Sequence, residues 1–281
     1  MRGGHANLPY AHSKHPPTMA SMAQRPTRSL KYEYELFVEQ EIENYKESIP
    51  RSVLLSIGDD AVASLATEQQ LALTELLLCE EVDRIIFKRL RLPSYTTWRK
   101  RRVKLVDEMR RPEHWGLRPD DVLVRAVQTA AEASVLVAGA ADEMSALYLA
   151  ANGCDVTAIA PEADTLERVI QAAIGAGLGG RVHGCLGDLA SWTPEAPLTA
   201  VIVNPAALDG LSASERARVI QLLQTATLDG GVHLVQALAK AGAGAISLDE
   251  LRSRYRGWSV SVERAADASS VFLAKKQRLT A

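Results

Sequence analysis

The run Val135-Leu136-Val137-Ala138-Gly139-Ala140-Ala141-Asp142-Glu143 is built like a strand that turns through small residues into a helix. In doubly wound α/β folds such a turn lies at the carboxyl edge of the sheet, where ligands bind. Gly139 suits a place where the backbone must bend in ways a Cβ resists or approach a ligand closely. Glu162, Asp188, Asn204 and His233 have types that can bind ligands or move protons. Each also has a plain structural use. Glu162 precedes the helical run 163–171 and suits a helix start, and Asp188 can cap the turn after it. Asn204 followed by Pro205 forms loops. His233 lies within an apolar run and suits a packed position as well as a base.

Charge offers a second chemistry. From Leu30 to Asp83 there are 3 bases against 13 acids, whereas from Arg84 to Arg118 there are 12 bases against 3 acids. Lys88, Arg89, Arg91, Arg99, Lys100, Arg101, Arg102 and Lys104, with Tyr95 and Trp98 among them, suit contact with an RNA or DNA backbone and stacking on its bases. Equally, the two halves can attract one another across a helical hairpin and spend their charges inside the protein. The whole chain is close to neutral, with 34 acids and 32 bases, so any such preference is local. Cys79, Cys154 and Cys185 lie far apart, in no CxxC pair or metal-ligand spacing, which predicts reduced, buried thiols and no metal. His5, His12 and His15 fall in a polar, aperiodic stretch with Pro9, Pro16, Pro17 and Pro26. Residues 1–28 are therefore expected to be a disordered leader or a cloning remnant rather than a metal site.

The elements that position these residues have two textures. Two domains are expected, because 281 residues exceed the usual reach of a single core. The 47% hydrophobic and 23% charged composition is that of globular protein and excludes a disordered or fibrous chain. From Leu30 the apolar spacing is helical: Leu36, Phe37, Ile42 and Tyr45 before Pro50, then Val53, Leu54, Ile57, Val62 and Leu65. Thr67 and Gln70 form a capping box for a third helix that carries Leu73, Leu76, Leu77, Ile85 and Ile86 to Leu92-Pro93. A fourth follows Ser94 and ends at Pro112. An all-helical domain is thus predicted over 29–118. After Trp115-Gly116, a helix at 122–127 leads into β-branched runs alternating with helices, the signature of a parallel sheet over 119–281. Candidate strands are 134–138, 155–159, 181–184, 200–203 and 232–237, with 259–263 and 270–274 as a closing antiparallel hairpin. No apolar run reaches the roughly 18 residues of a membrane span, nor is there a secretory apolar core, so a cytoplasmic location without membrane contact is expected.

Seven such strands with a terminal hairpin, together with Gly139, Gly153, Asp188 and Gly230-Gly231, resemble the class I S-adenosylmethionine (SAM)-dependent methyltransferases over Ser134 to Lys276. The resemblance implies a doubly wound α/β sheet in the order 3-2-1-4-5-7-6 with only strand seven antiparallel. It also implies SAM as cofactor, with Gly139, Ala140, Ala141, Ala160, Glu162, Asp188, Leu189 and Asn204 along its pocket. Such enzymes carry an acid at the position of Val137 and glycines at those of Gly139, Ala141 and Glu143. Here only Gly139 is kept, and the Glu143 carboxylate stands where it can crowd or repel that of the cofactor. Leu147 to Ile159 is similar to the first helix and second strand, with Gly153 ending the helix. The acid that holds the ribose hydroxyls after that strand is replaced by Ala160, with Glu162 two residues on. Gly187-Asp188-Leu189 matches the segment whose acid bonds the adenine amine. Val201 to Ala207 faintly resembles the Asn-Pro-Pro-aromatic signature of amino-group methyltransferases, with Asn204 in the place that orients the amine. Leu228 to Val235 follows the family's glycine turn into strand five.

Two functions follow from these residues. One is a SAM-dependent methyltransferase or methyltransferase-like SAM-binding protein with the helical domain covering the substrate side. Its methyl acceptor and catalytic residues are not set by the sequence, since methyl transfer chiefly needs the nucleophile in line with the sulfonium methyl. The alternative is a catalytically inactive scaffold that keeps the fold and binds nucleic acid or a protein through residues 84–118. Loss of the acids at Val137 and Ala160, and the presence of Glu143, favour this second reading.

Overall fold

The expected β-branched runs all form strands of one sheet. The computed structural model describes residues 29–66, 75–127, 133–139, 143–238, 246–264 and 270–277. The leader, the Thr67–Gln70 capping box, Ala140, Ala141 and the hairpin link 265–268 lie outside the described residues. Two compact units divide between Arg99 and Lys100.

The first unit holds α1 (Leu30–Ser48), α2 (Arg51–Ala66), α3 (Glu75–Leu90) and the start of α4 (Tyr95–Met109). Its described residues contain no strand. Ser29 caps α1 by accepting from the Tyr32 amide, which satisfies one of the orphan donors of a helix start. Ile42, Ile57 and Ile86, one from each of the first three helices, form the buried centre with Val38, Tyr45 and Phe87 around them. Tyr34, Phe37, Tyr95 and Trp98 pack ring on ring, with centroids 5.5 to 6.5 Å apart.

The second unit begins inside α4, earlier than the change of texture at Trp115-Gly116 suggested. Met109 and Trp115 belong to the core against the sheet, and the Trp115 indole donates to the Met109 carbonyl at 2.6 Å. A 3₁₀ turn at Pro112–Trp115 and α5 (Val122–Ala126) lead to the sheet. Its elements are β1 (Ser134–Ala138), α6 (Glu143–Ala151), β2 (Asp155–Ala160), α7 (Ala163–Gly175), β3 (Val182–Leu186), β4 (Leu198–Val203), α8 (Ala213–Ala226), β5 (Thr227–Leu238), α9 (Leu248–Arg254), β6 (Trp258–Arg264) and β7 (Ser270–Lys276). The seven strands lie in the order β3-β2-β1-β4-β5-β7-β6. β1 to β5 are parallel, and β7 runs antiparallel to both β5 and β6.

Period-two alternation sends Val135 and Val137 to one face and Leu136 and Ala138 to the other. β4 repeats this with Ala200 and Ile202 against Val201 and Val203. Both faces are covered, the first by α6 and α7 and the second by α8 and α9, as a central parallel sheet requires. Each buried Val, Leu or Ile on these faces contributes about 1.5–3 kcal/mol. The expected turn before strand five is an excursion within β5: the register with β4 jumps from Leu198–Thr227 to Ala200–Val232. A Cβ at Gly231 would lie 2.6 Å from Thr227 Cγ2 and 2.9 Å from the Leu228 carbonyl. Glycine is the residue that fits there. No helix among the described residues is long and apolar enough to cross a membrane.

Candidate functional site

Strand order reverses between β1 and β4, because β2 and β3 extend one way from β1 while β4 and β5 extend the other. That switch point is where doubly wound sheets open a crevice at their carboxyl edge. Gly139 closes β1 there with φ +92°, and its amide donates to the Ile159 carbonyl at 3.0 Å. A Cβ on Gly139 would stand 2.8 Å from Asn204 Cβ and 3.3 Å from Ala207 Cβ. The demand for glycine is thus made by the protein's own loop after β4. Asn204 donates its amide to the Ala138 carbonyl at 2.8 Å, and its Oδ1 accepts from the Ala206 amide at 3.0 Å. It caps the 3₁₀ turn Pro205–Leu208, the loop-forming role of an Asn-Pro pair.

Ala160 ends β2, buried, beside Leu186 of β3, and the Gly187 amide donates to its carbonyl at 3.0 Å. Glu162 is exposed at the start of α7. It makes no capping bond to the helix backbone, and its Oε2 accepts from the Thr165 hydroxyl at 3.2 Å. Asp188 is exposed on the next loop, with Oδ1 accepting from the Ser191 amide at 2.8 Å. That backbone donor, followed by the Ser191 side chain, holds the Asp188 carboxyl below its ordinary range, so it is an anion at neutral pH. Leu189 points into the core with Ile159 and Leu208 and offers no surface to a ligand. The structure therefore brings Gly139 and Asn204 together at the switch point and sets Glu162 and Asp188 on the two loops beyond it. Ala140 and Ala141 lie outside the described residues.

Glu143, at the start of α6, faces a cavity of about 10 Å³ that Val137, Gly139, Ala158, Ala160 and Leu166 also line. That volume is the room of roughly one water. Its carboxylate is mostly covered and stands 3.6 Å from Arg168 Nε on α7. This pairing partly neutralises the charge that would oppose an anionic ligand group. The sequence marks Glu143 but not Arg168, because the two lie on different helices and no local spacing links them.

His233 is packed, not catalytic. The Thr227 hydroxyl donates to the Leu223 carbonyl at 2.7 Å, so its oxygen must accept from His233 Nε2, 2.7 Å away. Nδ1 is then bare and accepts from the Tyr255 hydroxyl at 2.8 Å. The partners assign the Nε2–H tautomer. Burial, reinforced by Lys276, lowers the His233 pKa to about 3, while burial pushes the Tyr255 phenol well up.

The cysteines are free, and no group of metal-ligating side chains occurs among the described residues. Cys154 is buried and its thiol pushed up to about 11 by that burial, which makes it inert. Cys79 is exposed and Cys185 half-buried, against the expectation of three buried thiols: Cys79 stands on the solvent side of α3.

The basic stretch splits. In the first unit Lys88 and Arg89 sit on α3, with Arg89 bridged to Asp60 of α2 at 3.0 Å and Arg84 paired with Glu81. Lys46 of α1 bridges Asp83 of α3 at 2.8 Å, so part of the charge is spent between helices. Arg91 follows α3 at φ +53°, and Arg99 stands exposed on α4. Tyr95 and Trp98, the expected stacking residues, are taken into the aromatic packing of this unit. In the second unit Lys100 and Arg101 are exposed, while the Arg102 guanidinium lies against Gly177.

A doubly wound sheet in which β7 slots antiparallel between β5 and β6 has the strand order that the resemblance to class I SAM-dependent methyltransferases implied. Solved structures similar to this chain include TehB from Haemophilus influenzae, 16% identical with TM-score 0.46, where 55% of this chain covers 61% of that one. The glycopeptide N-methyltransferase MtfA with bound SAM is 14% identical, with TM-score 0.43, over 52% of this chain and 88% of that one. The N-methyltransferase NodS from Bradyrhizobium japonicum is 12% identical, with TM-score 0.44, over 66% of this chain and all of that one. No family model and no curated protein sequence matches.

Proposed function

We propose that the second unit binds SAM at the carboxyl edge of β1 to β3 and belongs to a methyltransferase or a methyltransferase-like SAM-binding protein. The observation that carries this reading is the placement of two exposed carboxylates, Glu162 and Asp188, on consecutive loops beyond a switch-point glycine. A carboxylate held ionised by backbone donors is a strong acceptor for an amine or hydroxyl. Asp188 would take the adenine amine and Glu162 the ribose hydroxyls. The Arg168–Glu143 pair relieves the repulsion that a bare Glu143 would exert. Bound SAM supplies an electrophilic methyl on its sulfonium; the chain's part is to hold and orient it and to keep water away. Free thiols and the lack of any long apolar helix among the described residues agree with a reducing cytoplasmic setting.

Calorimetric titration of the full-length chain with SAM and S-adenosylhomocysteine tests this. Micromolar binding of both supports the proposal; a folded chain that takes neither overturns it. The inactive-scaffold reading is favoured by Ala160, which offers no acceptor, and by the one-water cavity beside it. It expects the titration to stay flat.

A further inference from the structure

The second half of α4 is anchored at the edge of the sheet opposite the candidate pocket. Asn152, in the turn that enters β2, donates its side-chain amide to the Arg110 carbonyl at 3.2 Å and to Tyr148 at 3.0 Å. Arg102 lies against Gly177, in the turn that leads to β3. Both turns join a helix end to a strand start, so they sit at the amino edge. Met109 and Trp115 pin the same segment into the core.

From this anchored helix Lys100, Arg101 and Lys104 project, all exposed, with Val103 and Leu105 on either side of Lys104 43% and 42% exposed. Nothing inside the unit accounts for this charge. Lys100 and Arg101 make no ion pair among the described residues, and Lys104 reaches Glu108 only at 3.7 Å with both side chains in solvent, a contact of little worth. The order of charges also opposes the helix itself. A helix is stabilised by acids at its start and bases at its end, whereas α4 has no acid in its first turn and no base in its last, and Asp107 and Glu108 stand where bases belong. Lys100 and Lys104 form a like-charge pair at i, i+4, which costs a helix rather than stabilising it. A rigid row of cations kept against local preference fits an external polyanion.

We infer that Lys100, Arg101 and Lys104 form a docking surface for the phosphate backbone of duplex DNA, separate from the pocket at the carboxyl edge. With Tyr95 and Trp98 packed away, the helix has no aromatic platform for unpaired bases. Phosphates line both duplex forms, but the major groove of B-form DNA is wide enough for a helix to sit between its two phosphate walls, whereas that of A-form RNA is too narrow to admit one. The apolar content, Val103 and Leu105, is too small for a membrane-lying helix. Contact of this kind reads charge and not sequence.

The test is fluorescence anisotropy of the full chain with a labelled duplex DNA of about 24 base pairs, between about 50 and 200 mM salt. Single-stranded RNA of equal length and phosphatidylserine vesicles are run in parallel. The wild type is expected to bind the duplex with affinity that falls steeply with salt. Lys100→Gln/Arg101→Gln/Lys104→Gln is expected to weaken binding at least about tenfold and to lower the slope of log affinity against log salt by about 2.7, three phosphates at 0.9 each. Arg125→Gln, which removes a base already paired with Glu263, should bind as the wild type does. No binding by the wild type, tighter binding to RNA or vesicles, or an unchanged triple variant of native circular dichroism overturns the inference.

Discussion

Acidification should destabilise this protein through His233 by an amount the buried network sets. In the folded chain the ring is neutral, donating from Nε2 to Thr227 and accepting at Nδ1 from Tyr255. A proton on Nδ1 would face the Tyr255 hydroxyl and Lys276, inside a site that excludes water. The folded pKa is about 3 against an ordinary 6.5. Between those values the unfolded chain binds a proton that the folded one does not, so stability is fully present above pH 6.5 and is lost as pH falls toward 3. The 3.5-unit gap corresponds to a ceiling of roughly 4.8 kcal/mol below both values, and about 2.5 kcal/mol is lost between neutrality and pH 4.5. That is a large part of the ~5–15 kcal/mol by which domains are stable. Urea unfolding followed by tryptophan fluorescence at several pH values, for the wild type and for His233→Gln, isolates the effect. Glutamine keeps a donor and an acceptor but does not titrate, and carboxylates contribute equally to both proteins. The wild type should lose about 2.5 kcal/mol more than the variant over that range. Parallel losses would refute the buried, neutral assignment.

Gly139→Ala should cost about 1–3 kcal/mol in urea unfolding with no cofactor present, from the positive φ and the Asn204 contact, and Asn204→Gly in the same chain should return about 0.5 kcal/mol or more. Asp188→Asn retains an acceptor for the Ser191 amide and loses the charge. It should leave stability within about 0.5 kcal/mol and weaken SAM binding by about 1–3 kcal/mol in titration calorimetry; equal affinity would make Asp188 a turn residue. Glu143→Gly with Ala160→Asp should strengthen SAM binding by about 1–3 kcal/mol. Ala160→Asp alone should not, since it brings two carboxylates to one small cavity, and equal gains from the single and double variants would contradict that account.

The sheet was legible because its signals are local. β1, β4 and the 232–235 stretch of β5 are short β-branched runs buried on both faces, and Gly153 marks where α6 must stop before β2. Strand limits shifted by only a residue or two at β3, where the exposed His183 and Gly184 carry no burial pattern. The unit boundary was not legible. Nothing in the composition of α4 announces that Met109 and Trp115 pack under the sheet, because that contact joins residues to a core whose strands begin far downstream. Cys79 was misread for the same reason: residue type favours burial, but the solvent side of α3 is chosen by the packing of Ile86 against α1 and α2.

The site was harder to read than the fold because its residues serve two masters. Gly139 looks like a residue kept for a ligand, yet the loop after β4 fills the space above it; Asn204 looks like an amine acceptor, yet its oxygen already holds the Ala206 amide. Such double use follows from how a switch point is made. The strands on either side of the crevice must be tied across it, and the short polar or small residues that tie them are the types that would also hold a ligand. Sequence type alone cannot separate the roles. Glu143 shows the converse: by type and position it opposes an anion, but Arg168, 25 residues on in the chain, moderates that opposition through space. The electrostatics of the carboxyl edge are therefore set by the pairing of α6 with α7. Lys100, Arg101 and Lys104, carried on the part of α4 that is anchored at the amino edge, can serve a different ligand without disturbing it.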